Sequence, residues 1–391
     1  MTKVDPYNIK EKYAKWKARA LAQGIVGVSG ANSQIIMQYL QDMEQGLNVE
    51  TSNKRGGRSP IRLSCISFRM PQLARMFEAR YGATITELTD VQVCAFFADM
   101  RNGTIKRKDG KEYRATGDYV KEIKAFWNWW MKVQRRKEIV VKNIVQDLDK
   151  SYEKPDWVYL TEDQIRLLCS KASQKYQTLI WFLFDTGIRA PTELVNIKVS
   201  DFHNDFKELN IREEASKTFG RRIKLMICSK MIKEHVQHHN FAPDDYIFSI
   251  DPSGANRYLK RLAKKALGDM VSPAGQKYSD LTLYDFRHNS CCYWLPRYKS
   301  ESALKYRFGW KKSDKIHYYS ELLGMRDTIS EEDMLIDITR TEIEQKLQKA
   351  EKKNELLQEQ LATLQTQVAT IGELTKRLYV QILPQEVYRN F

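Results

Sequence analysis

The sequence predicts a mainly α-helical protein with a small β-sheet, built as a helical domain, a mixed α/β domain and a C-terminal coiled-coil helix. Three observations carry this. Apolar residues recur at three- and four-residue spacing in the long segments before residue 148. Residues 205–213 and 222–227 read as two strands joined by Glu214-Ala-Ser-Lys217-Thr-Phe-Gly220, a hairpin with a lysine at its turn. Beyond Gly324 the composition changes to a heptad pattern.

A chain of 391 residues is too long for a single core, so two or more domains are expected. Residues 1–30 form an N-terminal arm, basic and helical from Tyr7 to Leu21, then loosened at Gly24, Gly27 and Gly30. The helical domain spans 31–148. Its first helix places Ile35, Ile36, Tyr39, Leu40 and Met43 on one face and ends at Gly46. The flexible basic segment Lys54-Arg55-Gly-Gly-Arg58 follows, with Lys54, Arg55 and Arg58 as candidate contacts to a nucleic-acid backbone, and Pro60 suits the start of the next helix. That helix runs to Tyr81 through Leu63, Ile66, Met70, Leu73, Met76 and Phe77. A third covers Asp90–Met100 behind Thr89 as N-cap.

Residues 101–114 hold six basic and two acidic residues around two glycines. Lys106, Arg107, Lys108, Lys111 and Arg114 could lie along a phosphate backbone from such a loop, or be solvated. The helix Gly117–Arg136 should bury Val120, Ile123, Trp127, Trp130 and Val133 or their neighbours, with its tryptophans in the core.

A linker is expected at 149–159 and the second domain at 160–328. Thr161 and Gln164 form a capping box for its first helix. After the hairpin, helices return at Ser253–Leu267, Thr282–Tyr298 and Glu301–Phe308. The coiled-coil helix covers 329–380, with a tail at 381–391. Ile343, Leu347, Ala350, Asn354, Leu357, Leu361, Leu364, Val368, Ile371, Thr375 and Leu378 alternate spacings of four and three. Asn354 at an a position favours a defined register, often a parallel dimer. Residues 341–378 carry six basic and six acidic residues, so this helix is expected to serve protein partners, not a polyanion; the competing reading is a long helix folded back on its own domain.

The net charge of +15 points to a polyanionic partner, a balance shared by ribosomal and membrane-surface proteins. Eight Trp and 20 Tyr argue against a disordered basic chain. Six cysteines without a C-x-x-C read as reduced thiols of a cytoplasmic protein, and nothing resembles a signal peptide or a membrane span. No Walker loop is present, so ATP is not expected. His235, His238 and His239 lack a neighbouring Cys or carboxylate cluster and read as surface histidines; no metal or other cofactor is expected.

The segment Leu183-Phe-Asp-Thr-Gly-Ile-Arg189-Ala-Pro-Thr-Glu-Leu194 breaks an apolar helix at Thr186-Gly187 and places Arg189 in the break. A guanidinium there would stand at the start of a new helix, where free N–H groups already favour an anion. Lys217 follows, then Tyr284-Asp-Phe-Arg287-His288, then Gly309-Trp310, with Tyr319 nine residues beyond the Trp.

This order resembles the tyrosine recombinase (integrase) family, whose first box reads roughly Thr-Gly-x-Arg-x-x-Glu-Leu. The resemblance covers 160–325. It implies that 31–148 is the core-binding domain that clasps the duplex and 160–328 the catalytic domain. It further implies DNA cleavage through a 3′-phosphotyrosyl bond, strand exchange in a tetramer, and no metal or ATP. By position, Arg189 and Arg287 hold the phosphate, Lys217 is the general acid, Trp310 donates its indole N–H, and Tyr319 is the nucleophile, with Tyr318 its rival. His288 matches the residue that often follows the second Arg.

Two departures stand out. Glu193 lies four residues after Arg189 rather than three, and Tyr284 replaces the usual His of the second box. A phenol with a pKa of about 10 is a poor base at neutral pH but still a hydrogen-bond donor. The resemblance points to integrases of prokaryotic mobile elements, and the Tyr-x-x-Arg variant leans towards archaeal virus or plasmid forms. The competing readings are a transposase or resolvase of the same family, and a cleavage-deficient architectural DNA-binding protein of the same fold.

Overall fold

The computed structural model describes residues 4–47, 56–151, 156–298, 300–322 and 342–387. The chain divides into two compact units, Met1–Ser313 and Asp314–Phe391. The first unit holds two hydrophobic cores. One is built from α1 (Ile9–Gln23), α2 (Gly30–Gln45), α3 (Pro60–Tyr81), α4 (Asp90–Arg101) and α5 (Thr116–Arg135).

These helices form where the sequence supplies both a buried stripe and a cap. Ser29 and Ser59 accept the N–H of Asn32 and Arg62, and Thr89 with Gln92 closes a capping box on α4. Met70, Leu73, Ala74 and Phe77 of α3 are fully buried. Each such large apolar side chain contributes about 1.5–3 kcal/mol. Tyr39 packs edge-on against Phe126, with ring centroids 5.4 Å apart. Trp129 rather than Trp130 turns fully inward, because its indole N–H reaches the Asp42 carboxylate at 2.8 Å. Glu122 is buried beside this core, and Arg62 grips both its oxygens at 2.8 and 2.9 Å. Burial raises its pKa, against the pull of Arg62.

The loop expected at 101–114 is a small hairpin. Lys106 bridges antiparallel to Glu112, and the Arg107 N–H donates to the Lys111 carbonyl at 2.8 Å.

The second core begins earlier than residue 160. Trp157 is buried and bridges to Gly275, while Val158 and Leu160 donate their N–H groups to Asp285 and Asn289. Thr161 and Gln164 then form the expected capping box on α6 (Glu162–Lys171). α7 (Gln174–Thr186) ends at Gly187, whose φ of 58° lies in the left-handed region. A three-stranded antiparallel sheet follows in the order β1 (Phe202–His203), β2 (Glu208–Ile211), β3 (Arg221–Lys224). Its register pairs Phe202 with Leu209, Leu209 with Ile223, and Ile211 with Arg221. The sequence pattern showed two strands, because β1 is only two residues long.

Helices α8 (Ser229–His238), α9 (Pro252–Leu267), α10 (Asp285–Trp294) and α11 (Glu301–Phe308) complete this half. The helix expected over Thr282–Tyr298 is shorter at both ends. The Asp285 carboxylate takes the Thr282 N–H and hydroxyl and holds that stretch as a turn, and Pro296 falls in a 3-10 turn over Leu295–Arg297. The two halves are tied at the N-terminal arm: Val4 donates its N–H to the Asn196 side-chain oxygen at 2.8 Å, and the Asn196 amide returns a bond to the Val4 carbonyl at 3.1 Å. Asp5 meanwhile accepts the Ile9 N–H and so fixes this arm to α1.

The second unit contains α12 (Asp314–Leu322) and the 46-residue α13 (Glu342–Val387). Leu357, Leu361, Leu364, Val368 and Ile371 are exposed along α13. Residues 323–341 of the expected coiled-coil region and its approach lie outside the described residues. Among the described residues no helix is long and apolar enough to cross a membrane.

Candidate active site

Arg189 and Arg287 come together at the C-terminal end of α11. Arg189 donates from Nη2 to the Gly309 carbonyl at 2.8 Å, and Arg287 from Nη2 to the adjacent Phe308 carbonyl at 2.5 Å. The other end of Arg287 reaches the Gly187 carbonyl at 2.6 Å. Two guanidinium groups thus converge on consecutive backbone oxygens, which as acceptors resemble the oxygens of a phosphodiester.

The glycines of the motifs make this approach possible. A Cβ on Gly187 would stand 2.3 Å from the Phe308 ring and 2.7 Å from Ser290 Oγ. Gly309, at φ 60°, would place a Cβ 3.0 Å from Arg221 Nη1 and 3.1 Å from Thr218 Oγ1. Gly187 therefore needs glycine for space as well as for backbone conformation, and Gly309 for its left-handed backbone with little room to spare.

Arg189 does not open a regular helix, contrary to the sequence expectation. Its own N–H donates to Glu193 Oε2 at 2.9 Å, and the chain continues into a 3-10 turn over Leu194–Asn196. Glu193 organises the site instead. Its fully buried carboxylate receives Arg189 Nη1 at 2.7 Å and Arg221 Nη2 at 2.8 Å. Burial alone would raise its pKa; Arg221 and then Arg189 outweigh that and hold it at about 2. Arg287 is 4% exposed, and burial, reinforced by neighbouring Arg189, pulls its pKa down to about 10. It remains a cation at neutral pH.

Lys217 is exposed on the β2–β3 connection. Its neighbour Thr218 donates to the same Gly309 carbonyl at 2.9 Å, so the connection is tied to the spot on which the arginines converge. Tyr306 of α11 accepts the Arg222 N–H and stacks near Phe219, a second tie between the hairpin and α11. The half-buried Trp310 ring stacks on Phe308 with centroids 4.9 Å apart, and the Arg287 guanidinium lies 5.8 Å from its centre. Tyr284 is 45% exposed at the start of α10 and meets the His288 ring edge-on at 5.2 Å; His288 in turn stacks on Trp157. Tyr318 and Tyr319 lie in the second unit on α12, their rings 5.2 Å apart.

Sequence reading missed Arg221, Thr218 and the buried Arg307–Asp185 pair, all of which brace this spot. For Arg221 a signal existed: it alternates with Ile223 and Leu225, so strand parity turns it inward.

A second feature lies in the helical half. A groove of about 1060 Å³ runs between α1, α3 and the 106–112 hairpin. Lys106, Arg107, Lys108 and Arg114 line it, joined by Lys12 and Arg75, which sequence reading did not single out. Arg107 pairs with Asp109 and Arg114 with Asp156, both at 3.0 Å, so part of this charge is already met. Lys111 is exposed but does not line the groove, and Arg58 is half-buried where its N–H caps the Met43 carbonyl. Lys54 and Arg55 lie outside the described residues. His235 and His239 meet each other and Phe241 at the end of α8, with the His238 ring against His239, and burial lowers the pKa of His235.

The fold is that of the tyrosine recombinases: mainly helical, with a small antiparallel sheet. The Tn1549 transposon integrase in complex with transposon right end DNA superposes with a TM-score of 0.53 at 14% identity, over 77% of this chain and 96% of that one. The same integrase with circular intermediate DNA gives 0.51 at 14% identity, over 73% of this chain and 94% of that one. XerH site-specific recombinase bound to a palindromic difH substrate, in a post-cleavage complex, gives 0.51 at 12% identity, over 81% and 93%. No family model matches the sequence, and no curated protein matches it.

Proposed function

We propose that this protein is a site-specific DNA recombinase that cuts and rejoins DNA through a 3′-phosphotyrosyl intermediate. The observation that supports it most is the convergence of Arg189 and Arg287 on the adjacent carbonyls of Phe308 and Gly309. A scissile phosphate that displaced those carbonyls would be met by two fixed cations, and each planar guanidinium can grip two oxygens.

In this reading the Tyr319 phenol oxygen attacks phosphorus, and its proton passes to water or to the phosphate itself. Arg189 and Arg287 stabilise the added negative charge on the non-bridging oxygens. Lys217 protonates the departing 5′ oxygen, and Trp310 and Tyr284 donate hydrogen bonds to the phosphate. Rejoining is the same sequence reversed, with a 5′ hydroxyl as nucleophile and Lys217 accepting its proton. No metal or nucleotide enters these steps.

Residues 31–148, with their cationic groove, would hold the duplex, and 160–328 would act on it, as an integrase of a prokaryotic mobile element acting in the cytoplasm. Strand exchange would take a tetramer on two duplexes, and α13 would pair with a second copy through its exposed heptad seam.

The test is covalent trapping. The protein is incubated with nicked duplexes that lose a short fragment on cleavage, in EDTA and without ATP, beside Tyr319→Phe and Tyr318→Phe. An adduct on a denaturing gel that only Tyr319→Phe loses is the expected result. A duplex that is bound but never yields an adduct would instead favour an architectural DNA-binding role.

A further inference from the structure

We infer that Arg221 is a positioning residue of this site: by sharing the charge of Glu193, it leaves Arg189 a net cation with which to meet a phosphate. The inference rests on the reading of Arg189 as a phosphate-holding group.

Arg221 cannot touch DNA itself. Its side chain is fully buried, and its donors are used inside the protein: Nε to the Arg307 carbonyl at 2.8 Å, Nη2 to Glu193 Oε2 at 2.8 Å, and Nη1 to Glu193 Oε1 at 3.2 Å. Arg189 differs. Its side chain is 12% exposed, and its bonds to Glu193 and Gly309 use one donor from each terminal nitrogen.

The charges decide the matter. One buried carboxylate between two guanidinium groups leaves a net charge of +1 at the more exposed of them. Remove Arg221 and the Arg189–Glu193 pair is neutral, while Glu193 Oε2 loses the guanidinium that faced it. In a site shielded from water both changes weaken anion binding far more than on an open surface. Arg221 also contacts Ser216, next to Lys217, so the same guanidinium links the two parts of the site.

A buried arginine could instead be no more than a staple between β3 and α11. The variants that separate these roles are Arg221→Met, Arg221→Lys, Glu193→Gln and the double variant Arg221→Met/Glu193→Gln. The staple needs the guanidinium's shape, whereas the electrostatic role needs only its charge. Inorganic phosphate is titrated into the full-length protein while the guanidinium NMR signal of Arg189 is followed, so the readout does not depend on cleavage. Covalent trapping on a bound duplex is run in parallel.

Arg221→Met is expected to bind phosphate at Arg189 at least tenfold more weakly than wild type. The double variant, which has no carboxylate left to neutralise Arg189, should recover most of that loss, and Arg221→Lys should stay within about threefold of wild type. In Arg221→Met the trapping rate relative to wild type should rise as the pH is lowered and Glu193 takes up a proton. The inference is overturned if wild type binds no phosphate at Arg189, if Arg221→Met binds it as well as wild type, or if the double variant is no better than Arg221→Met. Phosphate results as expected, with no adduct from wild type on a bound duplex, would leave the role of Arg221 standing and remove the recombinase reading alone.

Discussion

Arg307 reaches across 122 residues of sequence to Asp185, its Nη2 standing 2.9 Å from Oδ1 with neither side chain more than 2% exposed. The same carboxylate accepts the N–H groups of Ile227 and Cys228, and the Trp294 ring covers the guanidinium. α7, α10, α11 and the bend that leads from β3 into α8 are therefore held at one ion pair. Asp185→Ala strands a buried guanidinium and two backbone donors, and should destabilise the protein by about 3–5 kcal/mol. Urea unfolding checks it; a midpoint unchanged from wild type would mean that the pair is dispensable.

Gly187→Ala sets a methyl group against Phe308 in a left-handed backbone, and should cost about 2–4 kcal/mol. Gly30→Ala, at the start of α2 with nothing within 4 Å, is the control and should stay within about 1 kcal/mol of wild type. Equal losses in both would show that the Phe308 contact is not what restricts position 187.

Glu193 gives the site an acid-sensitive bond. Its folded pKa of about 2 lies below the ordinary value of 4.5, so its stabilising contribution is complete above pH 4.5 and is lost as the pH falls through 2. The loss amounts to about 3 kcal/mol across that window. Glu193→Gln should show a flatter stability profile between those limits. Parallel profiles for the two proteins would contradict the assignment.

Tyr284→Phe should slow covalent trapping while leaving DNA affinity unchanged, because the exposed phenol can donate to a phosphate without bracing the fold. Tyr284→His should be faster than wild type if the absent imidazole base limits the rate. Trapping by Tyr284→Phe at the wild-type rate would remove the tyrosine from the mechanism.

Lys106→Ala, Arg107→Ala and Lys108→Ala should each weaken duplex binding and reduce the slope of log affinity against log salt by about 1. Arg58→Ala, whose residue does not line the groove, should change that slope little. A slope insensitive to all three groove variants would place the duplex elsewhere.

Much of this architecture could be read from residue order. The helical stripes of α2 and α3, the capping boxes at Thr89 and Thr161, and the strand-forming stretches on either side of Lys217 each carry a local signal. That Arg189 and Arg287 stand near one another is implied by the family resemblance, since residues nearly 100 apart leave no periodicity of their own. What escaped was mostly of that long-range kind. Arg221 and Arg222 are indistinguishable by type, and only strand parity tells which one turns inward. The choice of Trp129 over Trp130 depended on an aspartate 87 residues away. β1 is too short to show an alternation, and the 106–112 hairpin forms at a single bridge.

The bond pair between Val4 and Asn196 closes a loop of 192 residues. Closing so long a chain from the unfolded state costs about 5 kcal/mol in entropy, whereas two hydrogen bonds return about 1 kcal/mol each. The strap cannot drive that closure and forms only after α1 and the second core are already fixed, with Asp5 holding the arm in reach. It is a thermodynamic passenger, and its release costs so little that protection of the Val4 amide against hydrogen exchange would report directly on whether the two halves of the first unit are together or apart.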